Sequence, residues 1–342
     1  MLVKQNSDFI FGFEATMTNP NGDPDQENKP RMDYETKTLL VSDARRKRDC
    51  RDFLKHKGYP IFVDTLADTK VPMDKMFERI VTQWLSDRNK MNDVFKDNPV
   101  FNKYLGGTDD YFKAYENIKK DSKLKKEFTE LNNALITEII KRELIDIRLF
   151  GSAMAVEGVS RTFTGPVQIT WGYSLHPTEL VKSNTITSIM NDDNSTFGKK
   201  YKVYYALAAH YGTINKYSAA VTGMTEEDRM LFRKSLIQGM CANQTDSKQS
   251  QSPLFYLEIV YKPEFDGYLG DLRRFVKVTY DEKRPIRSID DLNIDFSNLA
   301  AVISEMRNKN YIEQVIVWQH PCAEKLDFGG IDYKSVDLWE AF

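Results

Sequence analysis

Residues 19–58 read NPNGDPDQENKPRMDYETKTLLVSDARRKRDCRDFLKHKG, and the interpretation of the whole chain starts from this stretch. It opens with an acidic loop, because its Asn-Pro, Asn-Gly and Asp-Pro steps all favour turns. It closes with a basic helix, for which Ser42 or Asp43 is the N-cap, about Lys57 the last residue and Gly58 the stop signal. A metal site, a nuclease centre and a phosphate-binding surface are the candidate explanations for this pairing.

The acidic loop carries oxygen-bearing side chains at alternating positions, namely Asn19, Asn21, Asp23, Asp25 and Glu27. If the loop is extended, these side chains point the same way and a hard cation could bind there. The EF-hand pattern fails, because the glycine is misplaced and the distal glutamate is missing. The alternative is a turn held by Asx hydrogen bonds and two prolines, and it is favoured over a metal site.

The basic helix is the stronger signal. Lys47, Arg51 and Lys55 lie at i, i+4 and i+8 with Arg48 beside them, so they form one cationic stripe. Asp49 and Asp52 are expected to lie off the stripe, too few to neutralise it. Such a stripe can bind successive phosphates of a single strand. An ordinary solvated helix with i, i+4 ion pairs remains an equal alternative on charge alone.

The composition bounds the possible functions. The chain has 342 residues, a net charge of −2 and a hydrophobic share of 41%, which predicts a folded protein of one large or two ordinary domains. The charge is uneven: residues 31–57 hold nine Lys/Arg against five Asp/Glu, and residues 281–342 hold seven against twelve. The cysteines and histidines are scattered, so neither a disulfide framework nor a zinc site is predicted, and no cofactor is expected.

The chain shows neither a signal peptide nor an apolar run long enough to span a bilayer, so we expect a cytoplasmic protein with no membrane partner. The pattern predicts a strand at Phe9–Met17, the basic helix, a short strand at YPIFVD and a helical insertion over 65–148. It then predicts a strand at Phe163–Leu175 broken by Pro166, a hairpin or long loop centred on MNDDNSTFG, a strand at Tyr201–Ala209, a helix capped by Thr225 and a strand at PLFYLEIVYKP. Without insertions this order is βαββαβ, the ferredoxin-like pattern.

Three phrases together resemble a known family: the basic stretch of 19–53, RLFGSAMA (148–155) and TGPVQITWGYSLHPTE (164–179). They resemble the CRISPR-associated protein seven family, the crRNA-binding backbone subunits of type I Cascade complexes of the I-B or I-C kind. The resemblance implies an α+β fold with a modified RRM (ferredoxin-like) palm formed by 1–64 and 146–280. It also implies a helical fingers insertion at 65–145, a β-hairpin thumb at 176–200 and a C-terminal segment, 281–342, packed on the palm.

The family's function is implied in the same way. Several copies bind one crRNA along its length and present it for pairing with target DNA, and the subunit itself is not an enzyme. The implied partners are crRNA, target DNA reached through the guide, further copies of the chain and the other Cascade subunits. Those are the 5′-handle-binding subunit, the large PAM-recognising subunit, the small subunit and the crRNA-processing endonuclease.

The resemblance also assigns residues. Ser42, Lys47, Arg48 and Arg51 match the phosphate-contacting helix, and the segment 151–154 matches the part that approaches the guide near its kink. Cation–aromatic neighbours such as Arg161 with Phe163 could stack on bases or be ordinary core and surface residues. The full set expected to bind RNA is Asn21, Arg31, Ser42, Arg45, Lys47, Arg48, Arg51, Arg148, Gly151, Ser152, Met154, Arg161, Phe163, Thr164, Gln168, Thr187, Phe197, Lys199 and Lys200.

Two alternatives remain open at the level of sequence. The first is a metal-dependent endoribonuclease on the same palm, which would use Asp23, Asp25 or Asp43. The second is a stand-alone protein that binds single-stranded RNA without assembling. The chain has no evident glycine-rich RNA-binding loop and no match to the catalytic aspartate loop of RNA-cutting relatives, so nuclease activity is not expected.

Overall fold

The structure, a computed structural model, describes residues 1–63, 73–153, 162–188, 196–324 and 326–341. The chain is an α+β protein with two compact units. The helical unit comprises Met1–Val3, Leu54–Pro166 and Tyr217–Arg229, and the sheet unit comprises Lys4–Phe53, Val167–Lys216 and Met230–Phe342. None of the helices in the described ranges is both long and apolar enough to cross a bilayer.

The strands are, in chain order, β1 (Ser7–Thr18), β2 (Gly22–Asp23), β3 (Lys29–Pro30), β4 (Met32–Asp33), β5 (Thr38–Val41), β6 (Gly151–Ala153), β7 (Thr162–Thr164), β8 (Val167–Ile169), β9 (Gly172–Ser174), β10 (Thr185–Ser188), β11 (Thr196–Lys199), β12 (Val203–Ile214), β13 (Gln251–Tyr261), β14 (Lys277–Tyr280), β15 (Leu292–Asp295), β16 (Ile312–Gln319) and β17 (Lys334–Ser335). The helices are α1 (Asp43–His56), α2 (Met73–Ser86), α3 (Arg88–Asp97), α4 (Pro99–Leu105), α5 (Tyr111–Lys120), α6 (Lys125–Arg142), α7 (Ile145–Phe150), α8 (Lys216–Thr222), α9 (Glu226–Ala242) and α10 (Ser297–Asn308).

The sheet unit is organised around one large, mostly antiparallel sheet. Its strand order is β17-β16-β13-β1-β12-β9-β5-β4, and β8 also pairs with β12. Strand β1 lies in the middle, with Gly12 opposite Ala209 of β12 and Phe255 of β13. Its sequence, SDFIFGFEATMT, is buried along most of its length because apolar residues occupy both faces. The strand predicted at Phe9–Met17 is therefore confirmed.

Helices α1 and α9 are in close contact. A side chain added at Gly239 of α9 would lie 2.8 Å from the carbonyl oxygen of Asp49 in α1, so only glycine fits there. Cys50 and Phe53 of α1 are buried, and their i, i+3 spacing puts them on one face of the helix. Gly58, at φ +88°, follows the helix and confirms the predicted stop.

The C-terminal part of the sheet unit adds an aromatic core. Phe255 of β13 contacts Phe296 and Phe328 edge-on, with ring centroids 5.5 and 6.0 Å apart. Phe296 and Phe328 also contact each other, at 5.0 Å. These contacts hold α10 and the residues after it against the sheet, which explains how a segment without a recognisable motif is stabilised.

The helical unit has its own core. Helices α2 to α6 bury apolar side chains at helical spacing, among them Phe101, Leu131, Leu135 and Ile139. The helical character predicted for 65–148 is confirmed in the part that the structure describes. The domain limits expected from the sequence stay a prediction.

Two local predictions need correction. The strand predicted at YPIFVD is absent from its described residues, because the backbone N–H groups of Phe62 and Val63 donate to the buried carboxylate of Asp146 at 3.0 Å and not to another strand. The strand predicted at Phe163–Leu175 is divided into β7, β8 and β9, with Pro166 in the first gap. Proline has no N–H to donate, so the break predicted there is confirmed.

Candidate nucleic-acid interface

The basic residues of α1 are paired along the helix. Lys47 contacts Asp43 at 3.0 Å, Arg48 contacts Asp52 at 3.4 Å, and Arg45 contacts Asp49. The expectation that Asp52 lies off the basic stripe is wrong, because its carboxylate pairs with Arg48 one turn earlier, whereas Asp49 contacts Arg45 and Arg46, which are not part of the stripe. The Arg48 side chain is 51% exposed and that of Lys47 only 16%, so the surface is a ladder of ion pairs and not a bare cationic stripe.

Arg46 is an interior residue that the sequence analysis did not select. It is buried, and its guanidinium lies 4.9 Å from the centre of the Phe13 ring. It contacts Asp49 at 3.4 Å and donates to Gln251 at 3.3 Å. Burial lowers the pKa of the guanidinium. Its spacing with Cys50 and Phe53, i, i+4 and i+7, was the available signal that this position faces inward.

Lys248 joins the basic region from a distant part of the sequence. Its Nζ donates to the carbonyl oxygens of Asn19 at 2.6 Å and Pro20 at 2.8 Å, where the acidic loop begins. Burial, and then the charges of Arg45 and Arg46, lower the pKa of Lys248 to about 7. The charges of Arg45, Arg46 and Arg48 act in the same direction as burial, so Lys248 belongs to the same basic region as the arginines of α1.

The acidic loop is held by its own polar side chains. Asn19 Nδ2 donates to the carbonyl oxygen of Asn28 at 2.8 Å, and Asp23 Oδ1 accepts from the backbone N–H of Asp25 at 3.2 Å. Asn21 Oδ1 accepts from the backbone N–H of Ser42 at 2.8 Å, just before α1 begins. The turn held by Asx hydrogen bonds is thus confirmed, although β2 and β3 add a short antiparallel pairing that was not predicted.

A metal centre finds no support in the described ranges, where no group of three or more His, Cys, Asp or Glu side chains is placed to hold an ion. Two of the three carboxylates considered for metal-dependent cleavage have other partners. Asp23 contacts Arg31 at 3.4 Å, and Asp43 contacts Lys47. The geometry therefore gives these groups a structural role in the loop and in the first turn of α1.

The base of the β10–β11 hairpin contacts two loops of the sheet unit. Glu27 accepts from the Tyr201 hydroxyl at 2.7 Å and pairs with Lys199 at 3.6 Å, and Lys200 pairs with Asp246 at 2.6 Å. The Tyr201 hydrogen bond, with Lys199 and then Lys29, lowers the pKa of Glu27. Lys199 and Lys200, both predicted to bind RNA, are exposed but already ion-paired.

Two predicted RNA-binding residues have structural positions in the helical unit. Arg148 donates to both carboxylate oxygens of Asp228, at 3.0 and 2.7 Å, and to the Ile140 carbonyl oxygen at 3.3 Å. Phe163 is 2% exposed within the core. A guanidinium that is fully engaged and a ring that is buried are not available to RNA, so we correct both expectations.

Gly151 is explained by the crossing of two chain segments in the helical unit. Its φ is +71°, and an added side chain would lie 2.2 Å from the Phe163 carbonyl oxygen and 2.3 Å from the Gly165 nitrogen. A side chain added at Gly165 would likewise lie 2.1 Å from the carbonyl carbon of Phe150. Glycine is therefore required by the fold itself at both positions.

The remaining predicted residues divide as follows. Thr164 and Gln168 are exposed, while Ser152, Arg45 and Arg51 are partly buried. Thr187 and Phe197 are paired opposite each other across the β10–β11 hairpin. Met154 and Arg161 lie outside the described residues. The following predicted residues all belong to the sheet unit: Asn21, Arg31, Ser42, Arg45, Lys47, Arg48, Arg51, Gln168, Lys199 and Lys200.

Comparison with known proteins gives consistent results. The family model of "CRISPR-associated protein Cas7" matches residues 5–297. A protein of Haloferax volcanii with that same description is 22% identical over 333 residues, which cover 90% of this chain and 86% of the relative.

Solved structures resemble the chain over almost its whole length. A chain of a "CRISPR RNA-guided surveillance complex, pre-nicking" aligns with a TM-score of 0.53 and 14% identity, covering 97% of this chain and 96% of the other. A chain of a "CRISPR RNA-guided surveillance complex" aligns with a TM-score of 0.50 and 13% identity, covering 97% and 94%. At these identities the likeness shows the fold alone.

Proposed function

We propose a function from one premise: this chain belongs to the CRISPR-associated protein Cas7 family, whose model matches residues 5–297. We infer that it is a non-catalytic backbone subunit of a Cascade-like surveillance complex. Several copies bind one crRNA along its length and leave its bases free to pair with target DNA. The match over most of the chain is the observation that carries this proposal.

The strand order supports a modified RRM-like palm. Strands β13, β1, β12 and β9 are neighbours, α1 follows β1, and α9 lies between β12 and β13. This is the chain order and spatial arrangement of a βαββαβ unit with its first and third strands in the centre. We assign the fingers to helices within 73–142 and the thumb to the β10–β11 hairpin.

RNA binding is assigned to the basic residues of the sheet unit. Arg48 is the most exposed arginine among the ion pairs of α1, and Arg31 and Lys47 are partly exposed. An aspartate holds each of these side chains in a defined position, so the cation is already positioned before RNA binds. RNA phosphates would replace these carboxylates as partners of the cations, or would share the cations with them. Such phosphate contacts are independent of base sequence.

A backbone subunit of this kind has several partners. A backbone subunit contacts crRNA directly, target DNA through the guide and further copies of itself along the strand. We further propose contacts with the 5′-handle-binding subunit, the large PAM-recognising subunit, the small subunit and the crRNA-processing endonuclease. The endoribonuclease alternative gains no support from the site, because Asp23 and Asp43 are each paired with a cation.

A binding and sedimentation experiment tests the proposal against its alternatives. The purified chain is titrated with a labelled single-stranded RNA of guide length at several salt concentrations, with and without magnesium. We expect several copies on each RNA, intact RNA and an affinity that falls as salt rises. One copy per RNA would favour the stand-alone binding protein, and RNA shortened only with magnesium would favour the endoribonuclease. An RNA-free chain under all conditions would contradict the assignment.

A further inference from the structure

Trp171 stands at the gap between β8 and β9, and 46% of its side chain surface is exposed. A single exposed apolar side chain is common in soluble proteins, so exposure alone is not informative. What distinguishes Trp171 is the amount of buried structure that fixes its backbone.

A buried arginine holds the backbone at this gap. Arg273 donates through Nη1 to the carbonyl oxygens of Trp171 at 2.7 Å and Ala209 at 3.1 Å, and through Nη2 to Thr170 Oγ1 at 3.2 Å. Asp271 accepts from the same guanidinium at 2.8 and 2.7 Å, which neutralises its charge. The side chain of Arg273 is 4% exposed, so this arginine is an internal support and is not itself available to a ligand.

The residues on either side of Trp171 are fixed as well. The Thr170 N–H donates to the Tyr211 carbonyl oxygen at 2.8 Å, and His210 Nδ1 lies 3.0 Å from the Thr170 carbonyl oxygen. An added side chain at Gly172 would lie 2.7 Å from the His210 ring, so the backbone here is pressed directly on that ring. Because these contacts already fix the backbone, only the side-chain torsions of Trp171 need to be ordered when its ring binds a flat partner.

A cation lies beside this ring. The Arg31 guanidinium lies 5.9 Å from the centre of the Trp171 ring and is also paired with Asp23 at 3.4 Å. Pairing of Val41 with Gly172 brings the start of α1, with its basic residues, next to the same strand end. An exposed aromatic ring beside arginine is the combination that binds a base and the neighbouring phosphate of a single strand.

We propose that Trp171 is a stacking platform for one unpaired base of the bound RNA strand, with Arg31 contacting the backbone beside it. This inference rests on the proposed function and adds a contact that phosphate binding alone does not supply. Every base has a flat face, so stacking tolerates any sequence. That property suits a subunit that must bind guides of differing sequence.

The test compares variants of the two exposed tryptophans. Trp171→Ala and Trp171→Phe are compared with Trp339→Ala, a control at a similarly exposed residue of the same unit, 44% exposed. The probe is a labelled single-stranded RNA of mixed sequence, and thermal melting verifies folding. We expect Trp171→Ala to weaken binding between about fivefold and a hundredfold, since one base stack is lost. Trp171→Phe should retain most of the affinity, and Trp339→Ala should leave it unchanged.

Two further readouts separate stacking from a structural effect. The salt dependence of binding should be the same in Trp171→Ala as in the parent, because no phosphate contact is lost, whereas Arg31→Ala should reduce the slope by about 0.7. RNA should quench tryptophan fluorescence in the parent and in Trp339→Phe, and the quenching should disappear in Trp171→Phe.

Three results would overturn the inference. The first is unchanged RNA affinity in a folded Trp171→Ala variant, and the second is quenching by RNA that persists in Trp171→Phe. The third is that the parent self-associates without RNA and Trp171→Ala does not, which would mark Trp171 as part of an interface between copies. Failure of the parent protein to bind RNA would instead overturn the proposed function, so the two failures are distinguishable.

Discussion

Helix α1 carries six lysine or arginine side chains within Asp43–His56, and segment 119–126 of the helical unit carries five within eight residues. In α1, Arg46 is buried against an aromatic ring and Asp49 joins two arginines. In segment 119–126, Lys119 and Lys120 form surface ion pairs with Glu78 and Glu116, and the lysines after them are exposed. Two segments rich in lysine and arginine therefore differ: the side chains of α1 form a basic surface anchored in the core, and those of segment 119–126 form an ordinary solvated one.

The largest expected effect is on stability, and it comes from replacing Arg46, the buried arginine that anchors α1. Arg46→Ala should lower the free energy of unfolding by about 3 kcal/mol or more, because it removes a buried charge from a paired site and leaves a void over Phe13. Arg48→Ala on the same helix is the matched control and should cost less than about 1 kcal/mol, since this exposed pair is screened by solvent. Chemical denaturation measures both. Equal destabilisation would mean that Arg46 is not the anchor.

The next largest effect is on RNA. Lys47→Glu combined with Arg51→Glu should weaken binding of single-stranded RNA by about a hundredfold, because two cations become anions on the proposed phosphate surface. Binding at moderate salt is the measurement, and melting verifies that the variant folds.

The control for this pair lies in the other region. Lys123→Glu with Lys126→Glu changes the net charge equally at exposed positions of segment 119–126. Binding of single-stranded RNA should change less than about threefold, since long-range charge effects are screened at physiological salt. If both double variants weaken binding equally, the effect comes from net charge and the two regions are not different.

A smaller effect concerns proton binding at Lys248. Its folded pKa, about 7, lies below that of an unfolded lysine, so between pH 7 and 9 the unfolded chain binds more protons than the folded chain. The free energy of unfolding of the parent should therefore rise with pH across this window. Relative to Lys248→Met, the rise should be at most about 1.4 kcal/mol per pH unit. The comparison uses thermal melting. Parallel pH profiles would show that the pKa of Lys248 is not lowered in the folded chain.

The smallest effect is at the hairpin base. Glu27→Gln with Asp246→Asn removes the carboxylates that pair with Lys199 and Lys200. Both lysines become available, so RNA affinity should rise between about twofold and fivefold. A fall in affinity would show that these carboxylates hold the hairpin in its binding position.

Elements set by local signals could be predicted from the sequence. Helix α1 follows from its cap and Gly58, and α9 begins at Glu226, directly after Thr225, whose Oγ1 accepts from the Asp228 N–H at 3.1 Å. The Asp228 carboxylate accepts in turn from the Thr225 N–H at 2.9 Å, which completes a capping box. Such signals lie within a few residues of the element they set.

Contacts between distant residues could not be predicted. Arg148 pairs with Asp228, 80 positions later, and Lys248 reaches the Asn19 carbonyl 229 positions away. No local pattern distinguishes such cations from those that face solvent. Trp171 was missed for the same reason, because the residue that displays it, Arg273, lies 102 positions further along the chain.

The most direct test of the central claim is to express the chain together with a CRISPR array and the neighbouring genes, purify it under mild conditions and sequence the bound RNA. The account predicts intact RNA of guide length in a large particle that contains several copies of the chain, and loss of that RNA in the Lys47→Glu, Arg51→Glu variant. A nucleic-acid-free monomer would contradict it.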